Sequence, residues 1–309
     1  MTSVVKHLED VSLASVTSGV PQGSHLGPLF FLLFINDITK HINSQCLLYA
    51  DDLKIFRQIT SVEDCLILQK DLDELMSWCD SNRLHLNLNK CFTITFHRTV
   101  NPIVYNYKLG DHTVEHTQTI KDLGVIMDSS LNFSQHISSV VQQSFKLLGF
   151  IRRVSQQFNN ESVIVGLFTS LVRSRLEYAS PVWSPFYMKY KYQVERVQNK
   201  FIKHLTFRNI NSKLPSLESR RQVADMKVLY KLLNNWIDCP YLLENISFRV
   251  PTVSRSQHLL FIPFTSTNYR INSPVYRMIR SFNSYTDLFP NLDTFHQTLP
   301  TFLTTTILF

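Results

Sequence analysis

The sequence predicts an α+β fold, an antiparallel sheet with packed helices, followed by a mostly α-helical region. Three observations carry this. Up to about residue 128, short β-rich runs alternate with helical periodicity; from 129 to about 235 helical spacing takes over; and the balance of charge changes between them. Residues 236–309 are rich in Pro, Thr and Phe and form a C-terminal extension whose role the sequence leaves open. With 44% apolar residues over 309 positions the chain can bury a substantial core. Seven Gly and twelve Pro exclude collagen-like and low-complexity chains, and no fixed repeat period recurs.

Taken in order, Pro28 stands where a helix can begin, and the apolar run Leu29 to Ile35 predicts a helix buried on every side, ended by Asn36 and Asp37. Cys46 to Tyr49 and Leu53 to Phe56 read as two strands around the acidic turn Ala50, Asp51, Asp52. From Glu63 to Asp80, Leu68, Leu72, Leu75, Met76 and Cys79 recur at helical spacing, which puts Lys70, Asp71, Asp73 and Glu74 on the other face. Leu84, Leu86 and Leu88 alternate with polar residues and, with Cys91 to Phe96, predict a strand pair. Tyr105 to Thr117 around Gly110 predicts a further hairpin. In the helical region, Tyr190, Val194, Val197, Phe201 and Leu205 form an apolar stripe, with Lys189, Arg196, Lys200 and Lys203 on an adjacent face. Val140 to Phe158 repeats the pattern with Phe145, Leu148, Lys146, Arg152 and Arg153.

Charge sharpens the division. Residues 140–235 carry 16 Lys and Arg against 5 Asp and Glu, whereas the whole chain is only +7. A basic helical segment beside an acidic one suits a polyanion-binding module joined to a metal-binding module, the cations gripping a backbone of phosphates. The longest apolar run, Leu29 to Ile35, is far short of the ~18 residues a membrane span needs, and the first ten residues lack a secretory pattern. A chain with no membrane partner, intracellular and not secreted, is expected, with nucleus and cytoplasm undistinguished. The five cysteines form no CxxC pair, which reads as ordinary thiols.

The strongest chemical signal is a pair of motifs. Gly19, Val20, Pro21, Gln22, Gly23 and Ser24 precede the acidic turn Tyr49, Ala50, Asp51, Asp52. Two adjacent carboxylates between strands repel each other, and a divalent cation relieves that repulsion; hard oxygen donors of this kind suit Mg²⁺.

On these residues the sequence resembles the reverse transcriptases of non-LTR retrotransposons, most closely the jockey-like mobile elements. The resemblance runs through SGVPQGSHLGPLFFLLFINDI (Ser18 to Ile38), LLYADDLKIF (Leu47 to Phe56) and DLDELMSWCDSNRLHLNLNK (Asp71 to Lys90). It continues through LGVIMDSSLNF (Leu123 to Phe133), LVRSRLEYASPVWSP (Leu171 to Pro185) and ERVQNKFIKHL (Glu195 to Leu205). It implies a polymerase palm over 1–128, a basic helical thumb over 129–235 and the extension 236–309.

The resemblance also implies roles. Gly19, Pro21, Gln22 and Gly23, with Tyr49 and Ala50, would shape the nucleotide and template pocket. Asp51 would be a ligand shared by two Mg²⁺ ions, Asp52 an accessory carboxylate, and Lys90 a positive charge near the leaving group. Lys146, Arg152, Arg153, Lys189, Arg196, Lys200 and Lys203 would hold nucleic-acid backbone. The implied activity is RNA-directed DNA polymerisation, with an RNA template, a DNA primer and deoxynucleoside triphosphates as partners. The family's first catalytic aspartate normally lies well upstream of the SGVPQGS motif, yet only 17 residues precede Ser18, Glu9 and Asp10 being their acids. The expectation is a palm without fingers or first metal-binding Asp, inactive as a polymerase alone. The rival reading is a non-catalytic nucleic-acid-binding remnant.

Other signals have plainer explanations. His112 to His116 fits an H-x-x-E-H zinc pattern, but on a strand the two histidines stand ~13 Å apart. Gly19 and Gly23 suit turns of positive φ. Trp183, between Pro181 and Pro185, is expected to be a packing anchor rather than a stacking platform. The uncharged tail Thr301 to Phe309 is β-prone.

Overall fold

A computed structural model of the chain describes residues 19, 23–158, 160–249 and 258–284. It divides into two compact units, Met1–Thr119 and Ile120–Phe309. Mixed helices and short ladders make the whole α+β.

In the first unit, α1 (Gly27–Ile35) starts with Pro28 in its first turn. β1 (Gln45–Tyr49) and β2 (Asp52–Phe56) then form an antiparallel hairpin. α2 (Val62–Ser81) begins in a capping box, with Asp64 N–H donating to Ser61 Oγ and Ser61 N–H to Asp64 Oδ2. After a short 3₁₀ turn, Leu88–Lys90, come β3 (Phe92–Thr93), β4 (Lys108–Leu109), β5 (His112–Thr113) and β6 (Glu115–His116). β4 and β5 pair antiparallel around Gly110, whose φ of +58° suits glycine, while β3 and β6 pair in parallel. The core gathers Ile38, Leu75, Cys79, Leu109 and Val114.

Three local expectations need correction. α1 is not buried on every side: Leu29, Phe30, Leu32, Leu33 and Phe34 are 43–65% exposed, and only Gly27 and Ile35 are buried. Phe34 meets the Trp78 ring edge-on at 5.8 Å, the aromatic contact α1 makes with α2. Leu84, Leu86 and Leu88 form no strand; they pack half-buried against the core from an irregular segment and the 3₁₀ turn that follows it, so alternation aims them inward without a ladder. The sheet is also not one antiparallel sheet: the described strands make separate two-stranded ladders, one of them parallel.

The second unit opens with the hairpin β7 (Thr119–Asp122) and β8 (Val125–Asp128), turned at Leu123 and Gly124. Gly124 sits at φ +86°, a conformation that favours glycine, and a Cβ there would come within 3.3 Å of the Tyr178 ring. Asp128 then accepts backbone N–H groups of Ser130, Asn132 and Phe133, anchoring the start of α3 (Ser134–Val154). α4 (Glu161–Leu167) passes through a π-helical segment, Phe168–Arg173, into α5 (Ser174–Glu177), followed by α6 (Ser180–Trp183), α7 (Met188–Phe207) and α8 (Leu217–Leu233).

The apolar stripe of α7 behaves as its spacing predicts: Val194, Val197, Phe201 and Leu205 are all buried, and Phe201 stacks on Phe168 at 4.0 Å. Trp183 is a packing anchor, buried, donating Nε1–H to Tyr178 O at 2.8 Å. The extension contributes α9 (Pro240–Leu243), β9 (Ser247–Phe248), β10 (Leu260–Phe261), α10 (Asn268–Ile271) and α11 (Pro274–Asn283). Met278, Ile279 and Phe282 of α11 share a core with Val223, Met226 and Leu229 of α8. The tail Thr301 to Phe309 lies outside the described residues.

Candidate functional site

In the first unit the acidic turn is the tip of the β1–β2 hairpin. Tyr49 pairs with Asp52, and Ala50 and Asp51 make the two-residue connection. Ala50 takes φ +51°, a left-handed conformation that costs an alanine on the order of 1 kcal/mol and that the hairpin imposes. Tyr49, Ala50, Asp51 and Asp52 are all exposed. Neither carboxylate has an ion-pair or hydrogen-bond partner among the described residues, so their oxygens are available to a cation. No third His, Cys, Asp or Glu joins them in one cluster among the described residues.

The base of the same hairpin is held from within. Asp71 of α2, expected on the polar face, is fully buried. Its Oδ1 accepts Asn43 N–H at 2.8 Å and the Asn43 amide at 3.1 Å, and its Oδ2 accepts Ser44 N–H at 2.8 Å. These donors lead directly into β1. Burial would push the Asp71 carboxyl upward, but the hydrogen bonds of Ser44 and Asn43 outweigh it and hold it below its usual range. The signal was present in the spacing: Asp71 stands three residues after Leu68 and four before Leu75, inside the apolar stripe.

Of the remaining expected residues in this unit, Gly19 and Gly23 both adopt φ +84°, as turns requiring glycine predict. Pro21 and Gln22 lie outside the described residues. Lys90 ends the 3₁₀ turn, exposed, with no ion-pair partner among the described residues. His112 and His116 fall on β5 and β6, and His116 Nε2 lies 3.1 Å from Thr95 Oγ1.

In the second unit α3 and α7 pack together and bring the expected cations into one groove. Phe145 of α3 lies under Arg196 and Lys200 of α7, 5.8 and 5.5 Å from its ring centroid. With Leu148, Gly149 and Arg152 they line a groove of about 340 Å³. Lys146, Arg152, Arg153, Lys189, Arg196, Lys200 and Lys203 are all exposed, and none has an ion-pair partner among the described residues. Lys189 sits 5.5 Å over Tyr190. Four of the five acids of this region are engaged elsewhere, Glu177 with Arg220, Glu218 with Lys191, Asp225 with Arg277, and Glu195 on Leu217 N–H, and the fifth, Glu161, lies in the first turn of α4. The groove therefore presents positive charge without internal neutralisation. A neighbouring groove adds three residues that sequence spacing did not single out, His204, Phe207 and Arg208, the last two lying beyond Leu205 at the end of the stripe.

Residues 7–151 match the family model described as reverse transcriptase (RNA-dependent DNA polymerase). This stretch is similar to reverse transcriptases. Within the chain, 144 residues are 31% identical to the RNA-directed DNA polymerase from mobile element jockey of Drosophila melanogaster, and 144 are 32% identical to that of Drosophila funebris. Each alignment covers 44% of this chain but 16% of the relative. A probable RNA-directed DNA polymerase from transposon X-element of Drosophila melanogaster is 25% identical over 209 residues, 62% of this chain and 22% of that protein. No solved structure matches the chain. The matched stretch includes the hairpin tip, Asp71, Lys90 and most of α3, while α7 lies beyond it. Among the described residues no helix is long and apolar enough to cross a membrane.

Proposed function

We propose that this chain carries part of an RNA-directed DNA polymerase of a non-LTR mobile element, extending a DNA primer on an RNA template with deoxynucleoside triphosphates. The observation that carries the reading is the exposed Asp51–Asp52 pair at a strained hairpin tip within the matched stretch. In this reading residues 1–128 form the palm, 129–235 the thumb, and 236–309 an extension. Asp51 and Asp52 would hold Mg²⁺, their hard, unpartnered oxygens fitting that ion. Bound there, Mg²⁺ supplies charge neutralisation and polarisation for phosphoryl transfer. Lys90 adds positive charge toward the leaving pyrophosphate, and Gly19, Pro21, Gln22 and Gly23 with Tyr49 and Ala50 shape the nucleotide and template pocket. Asp71 acts as a positioning residue, holding the strand that delivers the tip.

The test is extension of a DNA primer on an RNA template with Mg²⁺ and all four deoxynucleotides, beside Asp51→Asn. Incorporation that Asp51→Asn abolishes supports the reading, with a carboxylate outside the described residues completing the site, because two-metal chemistry needs more than this pair. Incorporation indifferent to Asp51 overturns it, and duplex binding without incorporation replaces it with a binding role alone.

The thumb assignment has its own check. Lys200→Glu with Lys203→Glu is expected to weaken binding to an RNA:DNA duplex at least about tenfold at low salt. The slope of log K against log salt should become shallower by roughly 0.7 to 0.9 for each phosphate that is no longer neutralised. Unchanged affinity in fluorescence anisotropy would remove α7 from the nucleic-acid interface.

A further inference from the structure

The C-terminal ends of α3 and α7 meet at a second groove of about 690 Å³, lined by Arg152, Arg153, Gln156, His204, Phe207 and Arg208 among others. Phe207, the last residue of α7, is 88% exposed there, an aromatic ring in water with cations around it. His204 Nε2 is shielded from solvent yet has no hydrogen-bond partner among the described residues. Arg208 is held in place, donating to Ser155 Oγ at 3.0 Å and to Phe158 O at 2.6 Å, so the groove's wall is fixed.

Cations at helix C-termini have a plain electrostatic role, because they offset the partial negative charge of the last carbonyls. That role accounts for Arg152, Arg153 and Arg208. It accounts neither for the exposed ring nor for the orphaned imidazole nitrogen, and it does not reach Arg196 and Lys200 in the middle of α7. A ring flanked by phosphate-binding groups matches the chemistry of an unpaired nucleotide, which offers a π-face and an anion side by side. A duplex offers the anion alone, its bases being already stacked on one another.

We propose that this second groove is a base-stacking site for a single-stranded nucleic acid, with one base on Phe207 and the adjoining phosphate against Arg152 and Arg153. The strand continues toward Lys200, which lies seven residues back along α7, about 10 Å at helical rise. The site rests on the nucleic-acid reading of the second unit and adds to it a preference for unpaired strand.

The experiment uses the full chain and two probes of equal length, a single-stranded RNA carrying 2-aminopurine and an RNA:DNA duplex, read by anisotropy and by 2-aminopurine fluorescence. Phe207→Ala is expected to weaken single-strand binding about tenfold, to abolish quenching of the 2-aminopurine, and to leave duplex binding unchanged. Phe207→Trp is expected to restore both signals. Because Phe207 is exposed, neither change disturbs the core. Equal losses on both probes, or no loss on the single strand, would overturn the stacking site while leaving nucleic-acid binding intact. A wild-type chain that binds neither probe would overturn the nucleic-acid reading itself.

Discussion

Arg277→Ala is expected to lower the stability of the helical unit by about 3–5 kcal/mol, measured by chemical unfolding followed by circular dichroism. Arg277 Nε lies 2.7 Å from Asp225 Oδ2, and a second guanidinium nitrogen lies 3.3 Å from Oδ1; that nitrogen also donates to Pro181 O. Asp225 is buried, so removing its partner leaves an anion in a medium that solvates it poorly. Burial already pushes the Asp225 carboxyl up, against the pull of Arg277. A raised folded value means that the ionised form costs stability once pH exceeds the ordinary aspartate range, and that protonation relieves this cost. The deficit of Arg277→Ala should therefore grow as pH rises from acid to neutral and shrink in acid. Replacing both partners, Arg277→Met with Asp225→Leu, should recover most of the loss, since apolar packing substitutes well for a buried pair. A single-variant loss under about 1 kcal/mol would show that the pair does not fasten α11 to α8.

Asp71→Ala is expected to cost the first unit about 2–3 kcal/mol, because it strands the buried Ser44 N–H and frees Asn43 at the entry to β1. The sign of its pH dependence is opposite to that of Asp225. Hydrogen bonding holds the folded carboxyl below its unfolded value, so its contribution is full above the usual aspartate pKa of about 4 and disappears as pH falls through the folded value. Wild-type stability should therefore fall in acid, and Asp71→Asn, which never ionises, should lose that part of the dependence. Equal acid sensitivity in Asp71→Asn and wild type would assign the effect elsewhere.

These two carboxylates also show where reading along the chain stops. Asp71 lies within the apolar stripe of α2 at three and four residues from Leu68 and Leu75, yet charge alone assigns it outward. What reverses the assignment is a pair of backbone N–H groups 27 and 28 residues away, which no local window contains. Asp225 pairs with an arginine 52 residues on, in a segment whose composition suggests only an extension. The α1 run fails in the other direction: apolar on all sides, it predicts burial, but burial needs a neighbour for each face, and among the described residues only part of one face has it. Leu84 to Leu88 alternate like a strand and reach the core like one, but a ladder needs a partner backbone, which alternation does not supply.

What the sequence determined by itself is local and periodic. The hairpin around Ala50 and Asp51, the stripe of α2, the turn at Gly110, the buried stripe of α7 and the cations beside it all follow from spacings of two, three or four residues, which backbone geometry converts directly into faces. Tertiary structure alone decided which faces meet. It placed Phe145 under Arg196 and Lys200, gathered His204, Phe207 and Arg208 at the end of the groove, turned Asp71 inward beneath the β1–β2 hairpin, and folded α11 onto α8. Each of these joins groups far apart in the chain, where the deciding free energy is burial and pairing between elements rather than the preference of any one of them.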